Sequence, residues 1–460
     1  MPWVATPLPW YGMALGIALR DRGRPVTLIW DDTDFEEAGA PDRREQNELI
    51  GSVVDRLAGE FPVIRLSRSR ALPPQDGDDL EVARLVGLNE SWALRGGTPR
   101  RVDIERRARI ERDLTATLAR LRGALADHEF EYLVLAGGAW GSSGLFLLAG
   151  AEAGVRVSTY DAGQGWVLAA NRGVASHQGE VADVFRQLWR DDLDGLGPWV
   201  EAGRDEFRAR RVGTDRTEFQ LVEAGTADVD FPVDVLVPMN VDHDAAALDR
   251  HVHFTDTTEW ISETVAFVLE RSEAHIVVRQ HPSERRALER SRLDVGAHLE
   301  RRFGSHPRVH YIGAEEPIST YDLLDRARFV VPFVSTIGIE AAALGKPVLP
   351  AGAGYYNDLG FVHVPRSRAE YFSLLDRGIA GTLPEFEHQT ERAWLCYYLS
   401  QCCNRVWTDF TPQPADFWKW CEQAPEAVFA SDGVADIVTS VDDDVPLALV
   451  RHSRRAVTRG

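Results

Sequence analysis

The chain has 460 residues, 44% hydrophobic and 27% charged, a balance that excludes a disordered, collagen-like or disulfide-scaffold protein and leaves room for a large core. With 71 acidic against 51 basic residues its formal charge is −20, and a field of that sign works against general nucleic-acid binding. No uncharged apolar run reaches the roughly 18 residues of a membrane span, and the opening MPWVATPLPWYG lacks the basic head and long apolar stretch of a signal peptide, so a cytoplasmic protein is expected.

The first elements alternate as helix over 11–21, strand over 25–30, helix over about 43–57 and strand over 62–66. Residues 67–101 are polar and hold little periodicity outside 80–88; a long helix then runs over about 103–126. A strand over 132–136 leads through AGGAWGSSG, which matches no P-loop, into an apolar helix over 145–153 and a strand over 155–160. Residues 183–226, rich in charge and tryptophan, read as helical, with breakers at 213–215 and 225–226, and carry the connection between domains. Beyond them strands over 234–238, 275–279, 309–312, 329–334 and 347–350 alternate with helices over 258–270, 283–290, 319–326 and 337–344. From Phe386 the tail is helical and aromatic, and it holds Cys396, Cys402, Cys403 and Cys421 at spacings that match no zinc site. The expected fold is α/β: two Rossmann-like domains, 1–226 and 227–385, facing across a cleft, with a helical tail, 386–460, packing back on the first.

Four constellations fall at strand ends, where open α/β sheets bind ligands. In VVRQHPSE (277–284) a strand ends in Arg279, Gln280 and His281, and Pro282 sets the first turn of the next helix. A histidine beside a helix N-terminus suits a phosphate, with an ordinary strand-to-helix turn as the equal alternative. In VSTIGIEAAALGKPV (334–348) Ser335 and Thr336 can cap a helix and donate to a phosphate. Glu340, alone in charge over 337–344, shares the face of Thr336 and requires partners, either ribose hydroxyls or a structural salt bridge. In VPMNVDHDAAA (237–247) Asn240, Asp242 and Asp244 suit an acceptor hydroxyl or a metal as well as a loop and its caps. In YDAGQGW (160–166) Asp161 is a candidate general base or nucleophile, or a turn aspartate before glycine.

Taken together, RQHP at 279–282 and STIGIEAAALGKPV at 335–348 resemble the paired histidine-proline and serine/threonine-glutamate motifs of bacterial capsular polysaccharide glycosyltransferases. The resemblance is to the Kdo-transferase-like and sialyltransferase-like enzymes of the two-domain GT-B fold, and it covers about residues 233–356. VPMNVDHDAAA is similar to a Gln/Asn-x-x-x-Asp element of the Kdo-transferase-like members. The resemblance implies a nucleotide-sugar donor, CMP-activated and acidic, held at its phosphate by His281, Ser335 and Thr336 beside Arg279 and Pro282, and at its ribose by Glu340. It further implies a glycan or lipid-linked acceptor on the first-domain side, with Asp161 and His281 as the catalytic candidates and Asn240, Asp242 and Asp244 as acceptor or hinge residues. No metal or further cofactor and no nucleic-acid partner is expected; peripheral association with the inner membrane face is left open. Arg279-Gln280 stands where lysine-proline is common, which loosens the assignment of the donor. The alternatives are another nucleotide-sugar enzyme, an epimerase or glycerophosphate transferase, and a non-catalytic nucleotide-sugar-binding subunit of a polysaccharide assembly complex.

Overall fold

The computed structural model describes residues 7–33, 51–95, 101–139, 141–163, 165–191, 194–213, 229–286 and 289–459. In chain order its strands are Leu28–Trp30 (β1), Val63–Arg65 (β2), Tyr132–Ala136 (β3), Arg156–Gly163 (β4), Trp166–Ala170 (β5), Val235–Pro238 (β6), Ile276–Arg279 (β7), Val309–Ile312 (β8), Phe329–Val330 (β9) and Arg405–Trp407 (β10). The chain divides into two compact units, one built from 1–94, 98–180 and 403–460, the other from 95–97 and 181–402.

These limits differ from the expected 1–226, 227–385 and 386–460. The helices read as a connection belong to the second unit because their aromatic faces are buried there: Trp199 stacks on Tyr398 at 5.4 Å, and Phe207 lies 5.3 Å from Trp394. Helix Gly197–Arg211 approaches helix Gln389–Tyr397 so closely at Gly203 that a Cβ there would sit 2.7 Å from the Trp394 carbonyl oxygen. The first part of the tail therefore stays with the second unit, and 403–460 joins the first.

The second unit is built on an all-parallel sheet in the order β8-β7-β6-β9, with Val348 bridged in parallel to Val330 beyond β9. Strands β6 and β7 are buried at every position, as expected when helices cover both faces, and this explains their unbroken apolar sequences. Val235, Val237, Ile276 and Val278 share a core with Trp260, Val265, Val268, Val295, Leu299 and Leu375; burying each such aliphatic side chain contributes about 1.5–3 kcal/mol before conformational entropy is counted. Asp256 caps helix Thr257–Arg271 by accepting from the Glu259 N–H at 2.8 Å. The expected strand over 329–334 shortens to β9, since Pro332 follows closely and has no N–H to donate. The strand expected at 347–350 reduces to the Val348 bridge. In place of a helix over 283–290 there is a short 3-10 turn, Pro282–Arg285, with 287–288 outside the described residues. Helix Val295–Phe303 was not anticipated.

The first unit is α/β in a different way. Strands β3 and β4 are parallel, joined by helix Ser143–Ala153, but β4 then turns back into β5, and β10 adds antiparallel to β5. β1 and β2 form a separate parallel pair. Of the helix expected over 43–57, the described part, 51–57, is helical. Among the described residues no helix is long and apolar enough to cross a membrane, and none of the four cysteines forms a disulfide.

Candidate functional site

The carboxyl ends of β6 and β7 are level, Pro238 lying opposite Arg279. The sheet order places its switch point between β6 and β9, the position at which such sheets open a crevice. Asn240 bridges that point: its Oδ1 accepts from the Val334 N–H at 3.3 Å, tying the loop after β6 to the loop after β9. The loops carrying His281 and Ser335–Thr336 thus leave one sheet edge two strand spacings apart, about 10 Å.

His281 is half-buried at the end of β7. Its Nδ1 accepts from the Ser283 N–H at 3.3 Å and from the Ser283 hydroxyl at 2.6 Å, which puts the ring proton on Nε2. Burial, reinforced by the charges of Arg210 and Arg279, pushes its pKa down to about 4. At neutral pH the imidazole therefore offers Nε2–H as a hydrogen-bond donor without a net charge. Pro282 sits in the first turn of the 3-10 segment, as its fixed φ suits.

On the opposite side of the switch point, the Ser335 Oγ lies 3.4 Å from the Ile337 N–H, and Thr336 makes no side-chain cap hydrogen bond. The Ser335 carbonyl is held by the Tyr356 hydroxyl at 3.0 Å, an approach that Gly338 allows, since a Cβ there would lie 2.6 Å from that hydroxyl.

Two expectations are revised. Arg279 is only 1% exposed, and its terminal nitrogens donate to backbone carbonyls of Gly313 and, at 2.9 Å, Ile318. It fastens the loop after β8 instead of facing a ligand. Glu340 is 2% exposed. Its Oε1 accepts from the Tyr321 hydroxyl at 3.3 Å and lies 3.9 Å from Arg210 Nη1. Ribose hydroxyls could reach that carboxylate only if these groups moved aside.

Arg210, Tyr321, Tyr397 and Gln401 were not singled out in the sequence. Arg210 comes from helix Gly197–Arg211 and donates to Gln401 Oε1 at 3.3 Å. Burial opposes its charge, but Tyr321, Tyr397 and Glu340 outweigh that effect and hold its pKa well above the ordinary value. Phe207 meets Tyr321 and Tyr397 edge-on at 5.6 and 5.9 Å, closing an aromatic wall around the pair. In an arginine-rich chain, the run Arg208-Ala209-Arg210-Arg211 held no signal that could have marked one of its members.

Asp242 and Asp244 have separate roles: Asp242 accepts from the Thr257 hydroxyl, while the exposed Asp244 accepts from the Ala246 N–H at 3.0 Å. In the first unit Asp161 is half-buried on β4, inside the hairpin with β5, opposite Leu168. Its carboxylate accepts from the Ser176 hydroxyl and, at 2.9 Å, from the Ala162 N–H. Burial raises its pKa, while Ser176, Ala162 and Arg405 pull it back. The glycine turn after β3 takes left-handed backbone at Gly137, Gly138 and Gly141, and the Gly141 N–H is received by the buried Asn89 at 2.9 Å. Gln164, beside the Asp161 element, lies outside the described residues.

Residues 223–366 match the family described as capsule polysaccharide biosynthesis protein. The protein FixF of Sinorhizobium fredii (strain NBRC 101917 / NGR234) is 30% identical over 123 residues, 27% of either chain, so this chain matches about a quarter of that relative's length. Among solved structures, the Thermosulfurimonas dismutans KpsC β-Kdo 2,7 transferase is 14% identical over 63% of this chain and 82% of its own, with a TM-score of 0.37. The β-Kdo 2,4 transferase of the same KpsC is 14% identical over 56% and 86%, at 0.34. The S. aureus MnaA–UDP co-structure is 12% identical over 70% and 90%, at 0.31. The family match takes in β6 through the helix that bears Glu340, the stretch in which both paired motifs lie.

Proposed function

We propose that the protein is a glycosyltransferase of surface or capsular polysaccharide synthesis that uses a nucleotide-sugar donor, with a CMP-sugar favoured, and acts at the cytoplasmic side. The observation that carries this reading is His281: a neutral imidazole at the carboxyl end of a central strand, its Nδ1 occupied by Ser283 and its Nε2–H without a protein partner among the described residues, inside the segment that matches the capsule family.

In the proposed reaction the acceptor hydroxyl oxygen attacks the anomeric carbon as the bond from that carbon to the phosphate oxygen breaks. The hydroxyl proton passes to a carboxylate, for which Asp161 is the candidate, its pKa raised by burial. The electron pair of the broken bond stays on the departing phosphate, where Nε2–H of His281 and the hydroxyls of Ser335 and Thr336 stabilise it. Glu340 is assigned to the support of Arg210 and Tyr321 beneath this site.

Calorimetric titration of wild type and His281→Ala with CMP, UDP, GDP and CDP tests the donor site. CMP binding that is weakened by about tenfold or more in the variant is expected, the range for a hydrogen bond to a charged group. Preference for UDP or GDP would remove the CMP-sugar assignment and keep the transferase; binding of none of the four would remove the donor site.

A further inference from the structure

His281 is only as well placed as the turn that carries it, since both donors to its Nδ1 come from Ser283, two residues further on. That turn is tied to β8 and the loop after it at each end. At its start the Gln280 N–H donates to the Ile312 carbonyl at 3.0 Å, closing the β7–β8 ladder. At its end Arg285 Nη2 donates to the carbonyls of Glu315 at 3.0 Å and Glu316 at 3.1 Å.

Between these ties lies a polar brace. Gln280 Oε1 accepts from the Tyr311 hydroxyl and from the Ala314 N–H, each at 2.9 Å, and its Nε2 donates to Glu284 Oε2 at 2.8 Å. The Ser291 N–H donates to the same Glu284 oxygen at 2.9 Å. With donors on one side of the amide and a carboxylate on the other, only one orientation of the Gln280 side chain fits. Gln280 and Glu284 thereby span the turn, with His281, Pro282 and Ser283 between them.

The brace opposes folding as well as ordering the turn. Glu284 is 2% exposed, and among the described residues its carboxylate has no ion pair; a side-chain amide and a backbone N–H meet it instead. Removing a carboxylate from water without a counter-charge is unfavourable, and such local costs gather where a site needs a fixed geometry.

We propose that Gln280 is a positioning residue for the donor site: through Glu284, Tyr311 and Ala314 it holds the 281–283 turn at the end of β7, so that Ser283 meets Nδ1 and the Nε2–H of His281 stays free for the donor phosphate. The inference rests on the donor-site reading above. The effect of Gln280 on the donor passes through His281 alone.

Wild type, Q280L, H281A and Q280L/H281A are titrated with CMP, UDP, GDP and CDP, and affinities are compared for the nucleotide that wild type binds most tightly. Q280L is expected to lose about tenfold relative to wild type, the range for a hydrogen bond to a charged group, and to change the affinity of H281A by less than about twofold. Y311F removes one of the two donors to Oε1 and keeps the ring; about a threefold loss is expected, and with Y311F/H281A it carries the same comparison if Q280L does not fold. Nitrogen NMR of histidine-labelled protein, with the His281 signals identified by their loss in H281A, reads the ring without any ligand. In wild type a proton on Nε2 and a bare Nδ1 are expected; in Q280L and Y311F the two signals move toward each other as the tautomers mix. Equal losses in the wild-type and H281A backgrounds overturn the inference, because the brace would then act on the fold and not through His281. Affinity unchanged in both Q280L and Y311F overturns it as well, as do unmoved ring signals. A wild-type protein that binds none of the four nucleotides overturns the donor-site reading; the ring signals then decide the brace by themselves, mixed tautomers in the variants upholding it and wild-type signals ending it.

Discussion

Each unit of the molecule holds an arginine against carboxylate, two carboxylates in the first and one in the second, and the two are satisfied in different ways. In the first unit Arg122 is 5% exposed at its side chain and forks onto Asp78 at 2.6 and 2.7 Å, while Nε and Nη2 reach Glu152 at 2.7 and 2.6 Å. Asp78 also accepts from the Gln75 N–H at 2.7 Å, and Arg122 holds its carboxyl below the usual range. In the second unit Arg210 has an ion pair at 3.9 Å to Glu340, an amide contact at 3.3 Å to Gln401 and a side-chain hydrogen bond with Tyr397, while its Nε has no hydrogen-bond partner among the described residues. A fork closed by carboxylates at short range is framework; the Arg210 guanidinium is held by longer and mostly uncharged contacts.

The largest effect that would break this comparison is on stability. Arg122→Met leaves Asp78 and Glu152 without their counter-charge, a defect that costs about 3–5 kcal/mol in buried pairs. Urea unfolding should show that loss, while nucleotide affinity of the folded variant stays at the wild-type value. A loss under about 1 kcal/mol would mean that the closed fork is not framework at all.

Chemistry in the first unit is predicted to reside at Asp161 and not at the Arg122 cluster. Asp161→Asn should lower transferase turnover by about 100-fold or more, the range for removing a general base, with unfolding free energy within about 1 kcal/mol of wild type. Unchanged turnover, measured with a donor that the wild type uses, would move the base elsewhere.

A smaller effect concerns pH. His281 has a folded pKa of about 4 against 6.5 for the ordinary imidazole. As pH falls through 6.5 the unfolded chain takes up a proton that the folded chain refuses, so stability is fully present above 6.5 and drains away between 6.5 and about 4. His363, also pushed down to about 4 by burial, adds to the same slope, so the informative quantity is a difference between proteins. Between pH 7 and 4.5 wild type should lose about 1–2 kcal/mol more than His281→Gln, after allowance for the half-open position of the ring. Parallel profiles would mean that the ring is protonated as readily in the folded protein as in the unfolded chain.

The second unit's sheet was legible because its strands are buried on both faces and are bounded by turns: β6, β7 and β8 fall within a residue of their expected limits. The first unit's hairpin was not. β5 is a five-residue run, WVLAA, without alternation, and β10 is three residues separated from it by more than half the chain. Only pairing defines such strands. Of the site, His281, Ser335 and Thr336 were visible because motifs at strand ends have a fixed local geometry. The neighbours of Glu340 were invisible because Arg210 and Tyr321 come from two other helices, and nothing local to either records the meeting.

The finest test compares two tyrosines that flank the same arginine. Tyr321 and Tyr397 present their rings edge-on to Phe207 at nearly equal angles, 88° and 86°, so a change to phenylalanine keeps the packing at both positions. Their hydroxyls differ. That of Tyr321 donates to Glu340 Oε1 at 3.3 Å, whereas that of Tyr397 is buried against the Arg210 guanidinium, with which it shares a side-chain hydrogen bond. Tyr321→Phe should therefore cost about 1 kcal/mol, the net worth of a long hydrogen bond to a carboxylate. Tyr397→Phe should cost about as much or somewhat more, about 1–2 kcal/mol, because it removes a partner of a buried guanidinium. If instead Tyr397→Phe is neutral, the Tyr397 hydroxyl contributes nothing to holding Arg210. Arg210 would then rest on Glu340 and Gln401 alone, and the contrast with the closely forked Arg122 would sharpen.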